Sequence, residues 1–416
     1  MLATYFHSPL RMQSLRTGPN GPYLESFCEM LSLAGYAEIT ARRHVRAAEH
    51  FLYWAARDGL PTADLNEQVL PRFTGHLNRC RCPGFGRYDQ LELRHGARLL
   101  MEHLRAVHGI KTAALDPAVP DSVLFTAFCQ WMRAQRGTTD PTLANYRRPI
   151  RDLVQRLGSD LGRLDAQGLR QFVLERSQTS GRTMIKQCTT ALRLFLRFLI
   201  AHDRCPVGLD AAIPVVARWR LTSLPRYLPP SDVERIIASC DPATAVGVRD
   251  RAILLLLARL ALRAGDIVML CLADIDWCGA SITVSGKAKR QTQLPLTQEV
   301  GQAVADYLQN IRPRAASDRV FVGVRAPYHP FASHCAVSVI VAQAMRRAGV
   351  RGHARGAAHL LRHSAATAML RHGASLQDIA ALLRHRSIET TQIYAKVDVA
   401  ALQQIAQPWP SEVSPC

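Results

Sequence analysis

The sequence lacks an apolar stretch long enough to cross a membrane. Its longest apolar run, residues 252–262, has about half of the roughly 20 residues that a spanning helix requires, and Arg259 interrupts it. Residues 1–18 also lack the basic segment, apolar core and small-residue cleavage site of an export signal. We therefore expect a cytoplasmic protein that has no membrane partner.

Low-complexity segments and regular cysteine spacing are missing as well. Hydrophobic residues make up 48% of the chain and charged residues 20%, which is a globular composition without the signature of disorder. The 11 cysteines are odd in number and irregularly spaced, which favours reduced thiols over a disulfide framework. A chain of 416 residues is too long for one hydrophobic core, so we expect three folded domains.

Acidic residues are scarce relative to basic ones. The chain has 33 Asp and Glu residues against 52 Lys and Arg residues, which gives a formal charge of +19 and a pI near 10.0. Such an excess favours a polyanionic partner, and nucleic acid is the first candidate.

Proline-rich breaks divide the chain into blocks. Breaks at residues 116–120 and around 206–230 interrupt any helix there. Apolar residues recur at helical spacing in each of the first two blocks, which predicts two compact four-helix bundles. The predicted domains are residues 1–115, 120–215 and 226–416.

The third block combines helices with a small β-sheet. Residues 250–261 form a very apolar helix, and two later runs, residues 281–284 and 293–296, have the composition of short strands. The basic turn 286–290 lies between these runs, so the sequence predicts a β-hairpin. The expected fold class is mainly α with a small β-sheet (α+β) in the C-terminal domain, preceded by two helical bundles.

Five residues of the third block together suit a phosphate group. His359 and Arg362 are three apart and therefore share one face of a helix. His385 lies nine residues before Tyr394, and Arg263 follows the apolar helix, where a buried guanidinium needs an anionic partner.

At these positions the block resembles the tyrosine recombinase, or phage integrase, family. Arg263 follows Leu260-Ala261-Leu262, where the family has Thr-Gly-Leu, and Lys287 stands on the predicted hairpin. His359-Leu360-Leu361-Arg362 matches the family's His-x-x-Arg box, and Leu383-Arg384-His385 matches its Leu-Gly-His, with Tyr394 nine residues later. Four residues depart from the common pattern: Ala261, Asp266, Arg384 and Arg386. None of these departures removes a catalytic group.

The resemblance implies a site-specific DNA recombinase that forms a 3′-phosphotyrosyl intermediate. Tyr394 would be the nucleophile, while Arg263 and Arg362 would hold the non-bridging oxygens of the phosphate. His385 would donate a further hydrogen bond, His359 would assist deprotonation of the phenol, and Lys287 would protonate the leaving 5′ oxygen. His363 and His372 are assigned structural roles. The resemblance implies no metal and no cofactor for this chemistry.

The resemblance also implies how the protein meets DNA. The first block would be a helical, SAM-like DNA-binding or accessory domain, and the second a SAM-like core-binding domain, so that both clamp double-stranded DNA. Family members suggest a homotetramer on two DNA sites, with accessory recombinases or DNA-bending proteins as further partners. Basic side chains predicted to contact DNA are Arg147, Arg148, Arg182, Lys186, Lys289, Arg384 and Arg386, although any of them could simply face solvent. The extra N-terminal block favours integration or transposition of a mobile element.

Two other functions stay open from the sequence. One is a DNA-binding regulator that has kept the fold and lost the chemistry. The other is a type IB topoisomerase, which shares the chemistry but relaxes supercoils by letting one strand swivel.

A possible zinc site in the first block is weakly supported by the sequence. His76, Cys80, Cys82 and His95 are the candidate ligands. However, Cys-x-Cys lacks the usual two-residue gap and no second cysteine pair follows, so the sequence does not predict a metal here.

Overall fold

The computed structural model describes most of the chain. The described residues are 2–17, 20–65, 69–85, 89–108, 120–157, 164–216, 224–285, 291–351, 356–385, 387–397, 402–403 and 406.

The secondary structure described in the first block is helical. Its helices are α1 (Leu2–Tyr5), α2 (Pro9–Thr17), α3 (Gly21–Leu33), α4 (Glu38–Arg57), α5 (Val69–Leu77) and α6 (Gln90–His108). Aromatic rings fill its interior, because Phe51 lies 5.1 Å from Phe73 and 6.1 Å from Trp54, measured between ring centroids. The spacing of apolar residues on α4 therefore buries one face of that helix, as the sequence predicts.

The second block contains four described helices. They are α7 (Pro120–Arg136), α8 (Asp140–Leu157), α9 (Ala166–Thr179) and α10 (Arg182–Ile200). Asp165 caps α9 by accepting a 2.6 Å hydrogen bond from the backbone N–H of Gly168. The core forms where the ring of Phe128 meets the edges of Phe195 and Phe198.

The third block is mainly helical and carries the small sheet. Its helices are α11 (Pro230–Ala238), α12 (Ala245–Ala258), α13 (Ala264–Met269), α14 (Gln298–Asp306), α15 (His334–Arg347), α16 (Ala357–Arg371) and α17 (Leu376–Leu382). Its strands are β1 (Ile275–Asp276), β2 (Ser281–Ser285) and β3 (Gln291–Pro295). They form an antiparallel sheet in the order β1-β2-β3, with Ser281 opposite Pro295 and Ser285 opposite Gln291. The two predicted strands and the predicted fold class are confirmed, and the turn 286–290 lies outside the described residues.

Helix α12 is the centre of the third block. Its residues 252–257 are completely buried, and the helix contacts α11, α13, α14, α15 and α16. A helix that is apolar on all sides is stable only when other elements surround it. Because α12 is held by its neighbours, the position of the following segment, which carries Arg263, is fixed at its start.

The described residues form two compact units. One consists of residues 1–62, 72–107 and 221–416, and the other of residues 63–71 and 108–220. In the first unit, the Tyr328 hydroxyl donates a 3.3 Å hydrogen bond to the Gly35 carbonyl. The division into three domains stays a prediction. Among the described helices, none is long and apolar enough to cross a membrane.

Replacing Leu255 in α12 by alanine should destabilise the protein strongly. The side chain is fully buried, so Leu255→Ala removes apolar contacts and leaves a cavity, which costs about 2–5 kcal/mol. Val246 on the same helix is 41% exposed, and Val246→Ala should change the free energy of unfolding by no more than about 0.5 kcal/mol. Urea denaturation of both variants measures the difference, and equal losses would contradict the central position of α12.

Candidate active site

Arg263 is fixed at the start of α13. The backbone N–H of Arg263 donates a 2.7 Å hydrogen bond to Oδ2 of Asp266, which closes the first turn of the helix. The preceding Ala261 has a φ of +48°, in the left-handed region, which turns the chain sharply between α12 and α13. The Arg263 side chain is thereby aimed at the loop that follows α17.

Arg362 reaches the same loop from α16. It is 4% exposed and donates hydrogen bonds to the carbonyl oxygens of Ala261 and Leu383. Nη2 of Arg263 donates to the carbonyls of Leu383 and Arg384 at 3.0 and 3.1 Å. Burial and the nearby Arg263 lower the pKa of Arg362 to about 10. Burial, followed by Arg384, also lowers the pKa of Arg263.

Arg384 supplies a third guanidinium group. Its side chain is 7% exposed, and its Nη2 pairs with the carboxylate of Asp266. Its Nε and Nη1 are buried and have no hydrogen-bond partner among the described residues. Arg384 is thus a buried residue here and does not face solvent, and its predicted contact with DNA stays a prediction.

The three guanidinium groups give the site a positive charge. Arg263, Arg362 and Arg384 contribute three charges and Asp266 removes one, so the described groups sum to +2. When arginines are buried together, the positive charge of each one destabilises the charged form of its neighbours and lowers their pKa values. An anion with two negative charges would compensate this arrangement.

Tyr394 lies beside this cluster in the short 3₁₀ turn Tyr394–Val397. It is 1% exposed and packs in an apolar cluster with Ala261, Ala365 and Leu383. Burial raises the pKa of Tyr394 to about 12, while Arg362 opposes the shift. The phenol is therefore protonated at neutral pH and needs a proton acceptor before it can act as a nucleophile.

His363 is the side chain that contacts this phenol. Its Nδ1 lies 2.7 Å from Oη of Tyr394, and burial lowers the pKa of His363 to about 4. The ring is therefore neutral at pH 7 and accepts the phenol hydrogen in the tautomer that is protonated on Nε2. From the sequence, a structural role is expected for this residue. One feature of the sequence could have pointed to His363 as a site residue. It follows His359 by four residues and therefore lies on the same helix face.

The two predicted catalytic histidines occupy different surroundings. His359 is exposed, and its pKa is lowered by partial burial and by Arg362 and Arg263. His385 places Nδ1 2.8 Å from the Thr391 hydroxyl, and its pKa is lowered to about 4 by burial, then by Arg362 and Arg263. Hence the structure brings Arg263, Arg362, His385 and Tyr394 together, and His359 lies at the exposed side.

Four of the residues predicted to contact DNA lie on helices of the second block. Arg147, Arg148, Arg182 and Lys186 are exposed on α8 and α10, as contact with a phosphate backbone requires. Lys287, Lys289 and Arg386 lie outside the described residues.

Comparisons with known proteins agree on one family. The model of the phage integrase family matches residues 226–400. The integrase/recombinase y4rA of Sinorhizobium fredii is 37% identical over 96% of this chain and 97% of the relative. Among solved structures, the XerH site-specific recombinase bound to palindromic difH substrate has a TM-score of 0.55 at 17% identity, covering 80% of this chain and 93% of that one. A lambda integrase tetramer bound to a Holliday junction has a TM-score of 0.51 at 17% identity, covering 75% and 88%. At this identity the two structures establish the fold.

The buried histidines should make the protein less stable in mild acid. His363 and His385 have pKa values of about 4 in the folded chain against an ordinary value of 6.5, so between these values the unfolded chain binds more protons. The free energy of unfolding should therefore fall as the pH drops from 6.5 towards 4, by on the order of 1 kcal/mol or more per histidine. Urea denaturation at pH 7.5 and 5.0 measures this change.

The double variant His363→Gln and His385→Gln should lose part of that pH dependence. His372→Gln is the matched control, because His372 is exposed at the end of α16. An unchanged pH dependence in the double variant would show that these two rings are not the source.

Proposed function

Since the chain belongs to the phage integrase family of tyrosine recombinases and cuts and rejoins DNA at specific sites, we propose that Tyr394 is the nucleophile of this reaction. Its phenolic oxygen attacks a DNA phosphodiester and forms a 3′-phosphotyrosyl bond. The new phosphorus–oxygen bond replaces the bond to the 5′ oxygen, which leaves as a hydroxyl. Attack by a 5′ hydroxyl from another strand reverses the step, so no ATP is needed.

The charge of +2 beside Tyr394 carries this proposal. A phosphodiester has one negative charge, and its pentacovalent transition state has a second one on the non-bridging oxygens. Arg263 and Arg362 are positioned by the backbone carbonyls of the 383–384 loop before DNA arrives. Because this arrangement precedes binding, little reorganisation is needed when charge develops. The remaining N–H groups of the two guanidiniums would hold the two oxygens.

Arg384 strengthens the same effect. Its side chain pairs with Asp266, and its Nε and Nη1 lack partners among the described residues. A phosphate oxygen in the cluster would satisfy donors that are otherwise buried and unpaired. Arg384 therefore acts on the phosphate that is cut and not on the surrounding DNA backbone.

His363 takes the proton from Tyr394. Its 2.7 Å contact to the phenol supports this role, whereas the described residues give no contact between His359 and Tyr394. The pKa of the phenol is about 12 and that of the imidazole about 4, so transfer occurs only as the phosphorus–oxygen bond forms. His359 and His385 donate hydrogen bonds to the phosphate, and Lys287 protonates the leaving 5′ oxygen.

The biological reaction is integration or transposition of a mobile element. The name of the integrase relative and the overall similarity to lambda integrase support this role. The solved neighbours, bound to a difH substrate and to a Holliday junction as a tetramer, support double-stranded DNA as the partner and a homotetramer on two sites. Both helical bundles contact the DNA, the second through exposed Arg147, Arg148, Arg182 and Lys186 on α8 and α10. Accessory recombinases or DNA-bending proteins complete the assembly.

A covalent adduct with DNA tests the nucleophile directly. The protein is incubated in EDTA with supercoiled and nicked plasmids that carry DNA from its own genomic neighbourhood. Denaturing gels should reveal protein-linked DNA for the natural chain and none for Tyr394→Phe, which should still bind the same DNA. Binding without an adduct in the natural chain would favour the regulator, and relaxation without joined products would favour a topoisomerase.

Two alanine variants test which histidine accepts the proton. His363→Ala should slow adduct formation about 10²–10⁴-fold, as expected for loss of a general base. His359→Ala should slow it less, because the ring is exposed and makes no described contact with the phenol. The rates are measured in single-turnover reactions on a nicked site. A larger loss in His359→Ala would reverse the assignment.

A further inference from the structure

Four metal-binding side chains converge in the first block, in elements other than those that carry Tyr394. His50 lies on α4, His76 lies at the end of α5, and Cys80 and Cys82 follow in the next loop. One donor atom from each residue lies within 4.8 Å of the other three. Among the described residues, no other His, Cys, Asp and Glu side chains form such a group.

The donor atoms point at one another. Sγ of Cys80 lies 3.3 Å from Nε2 of His50, and Sγ of Cys82 lies 3.3 Å from Nε2 of His76. Bond lengths of about 2.3 Å to sulfur and about 2.0–2.1 Å to nitrogen place the ligand atoms of a tetrahedral zinc ion about 3.3–3.8 Å apart. The observed spacing needs only small side-chain shifts to fit that geometry.

Aromatic rings surround this group. The ring of Phe85 stacks on His50 at 4.5 Å, Phe73 meets its edge at 5.4 Å, and Trp54 stacks on His76 at 5.9 Å. His50 is 2% exposed. Imidazole and thiol groups pair weakly with each other, so this polar cluster is poorly compensated in its apolar shell.

We propose that His50, His76, Cys80 and Cys82 bind one zinc ion. Two thiolates and two neutral imidazoles form a common tetrahedral set, and the thiolate charges cancel that of Zn²⁺. The backbone N–H of Cys82 donates a 3.4 Å hydrogen bond to Sγ of Cys80. The same N–H orients the sulfur in the absence of the usual two-residue gap between the cysteines.

The zinc ion has a structural role. Four protein ligands leave no open position for substrate or water. The ion ties the loop after α5 to α4, and so fixes the position of α5 against the aromatic core. The fourth ligand is His50 and not His95, because the ring of His95 packs against His44 at a centroid distance of 5.2 Å.

Metal content of the purified full chain tests the proposal. Mass spectrometry of the natural protein should find one zinc ion per chain. The double variant Cys80→Ser and Cys82→Ser should lose at least about 90% of it. The matched control, Cys278→Ser and Cys335→Ser, replaces two exposed cysteines of the third block and should keep the metal. Equal zinc in both double variants, or no zinc in the natural protein after growth with added zinc, would overturn the proposal.

Cobalt provides a readout that does not depend on the folding of a variant. The natural chain, stripped of metal and loaded with Co²⁺, should show the visible bands of tetrahedral cobalt and sulfur-to-cobalt charge transfer in the near ultraviolet. His76→Cys should keep the metal and intensify the charge-transfer band, since a third sulfur is added. Absence of both signals in the natural chain, or a Cys80–Cys82 disulfide in the protein as isolated under reducing conditions, would refute the site.

The zinc proposal is independent of the catalytic one. Tyr394→Phe should keep its zinc, because the tyrosine belongs to none of the elements that hold the ligands. Stripping zinc should lower the melting temperature of both proteins equally. A zinc ion that disappears in Tyr394→Phe would place the metal at the catalytic residue and would overturn the assignment of these four ligands.

Discussion

Two positively charged side chains, Arg263 and Arg362, share one acceptor, the carbonyl oxygen of Leu383. Like charges repel, and the backbone carbonyls that accept from the two guanidiniums, together with the nearby Asp266 carboxylate, oppose that repulsion. The shared carbonyl also joins three parts of the fold: the start of α13, the middle of α16 and the loop after α17. Tyr394 packs next to this junction, in one apolar cluster with Ala261 and Leu383.

The sequence indicated which polar groups form the candidate site, but it did not indicate which of them are in contact. Arg263, Arg362 and Tyr394 could be predicted because a family pattern fixes their order, and the strands were visible as short apolar runs on either side of a basic turn. The contact of His363 with Tyr394 depends on the packing of a 3₁₀ turn against α16, which no local pattern encodes. His50 was missed as a neighbour of the cysteines for a similar reason, since α4 and the loop after α5 meet only in the folded block.

Two departures from the family pattern acquire a physical meaning in the structure. Ala261 and Arg384 replace glycines, and both have a positive φ, of +48° and +52°. A side chain in this region costs roughly 1–2 kcal/mol, which the sequence alone does not reveal. At Arg384 the ion pair with Asp266 offsets the cost, and at Ala261 the methyl group is completely buried among the small residues around Tyr394. Tertiary contacts therefore override the local preference for glycine at both turns.

The protonated state of Tyr394 bears on the safety of the host genome. A recombinase passes over far more unrelated DNA than target DNA, and a nucleophile that was ionised at rest would nick any strand that drifted into reach. With a pKa of about 12 and a neutral histidine as its neighbour, the phenol that we propose as the nucleophile stays protonated in the resting site. Cleavage of unrelated DNA would then be prevented by the protonated phenol as well as by recognition of the target sequence.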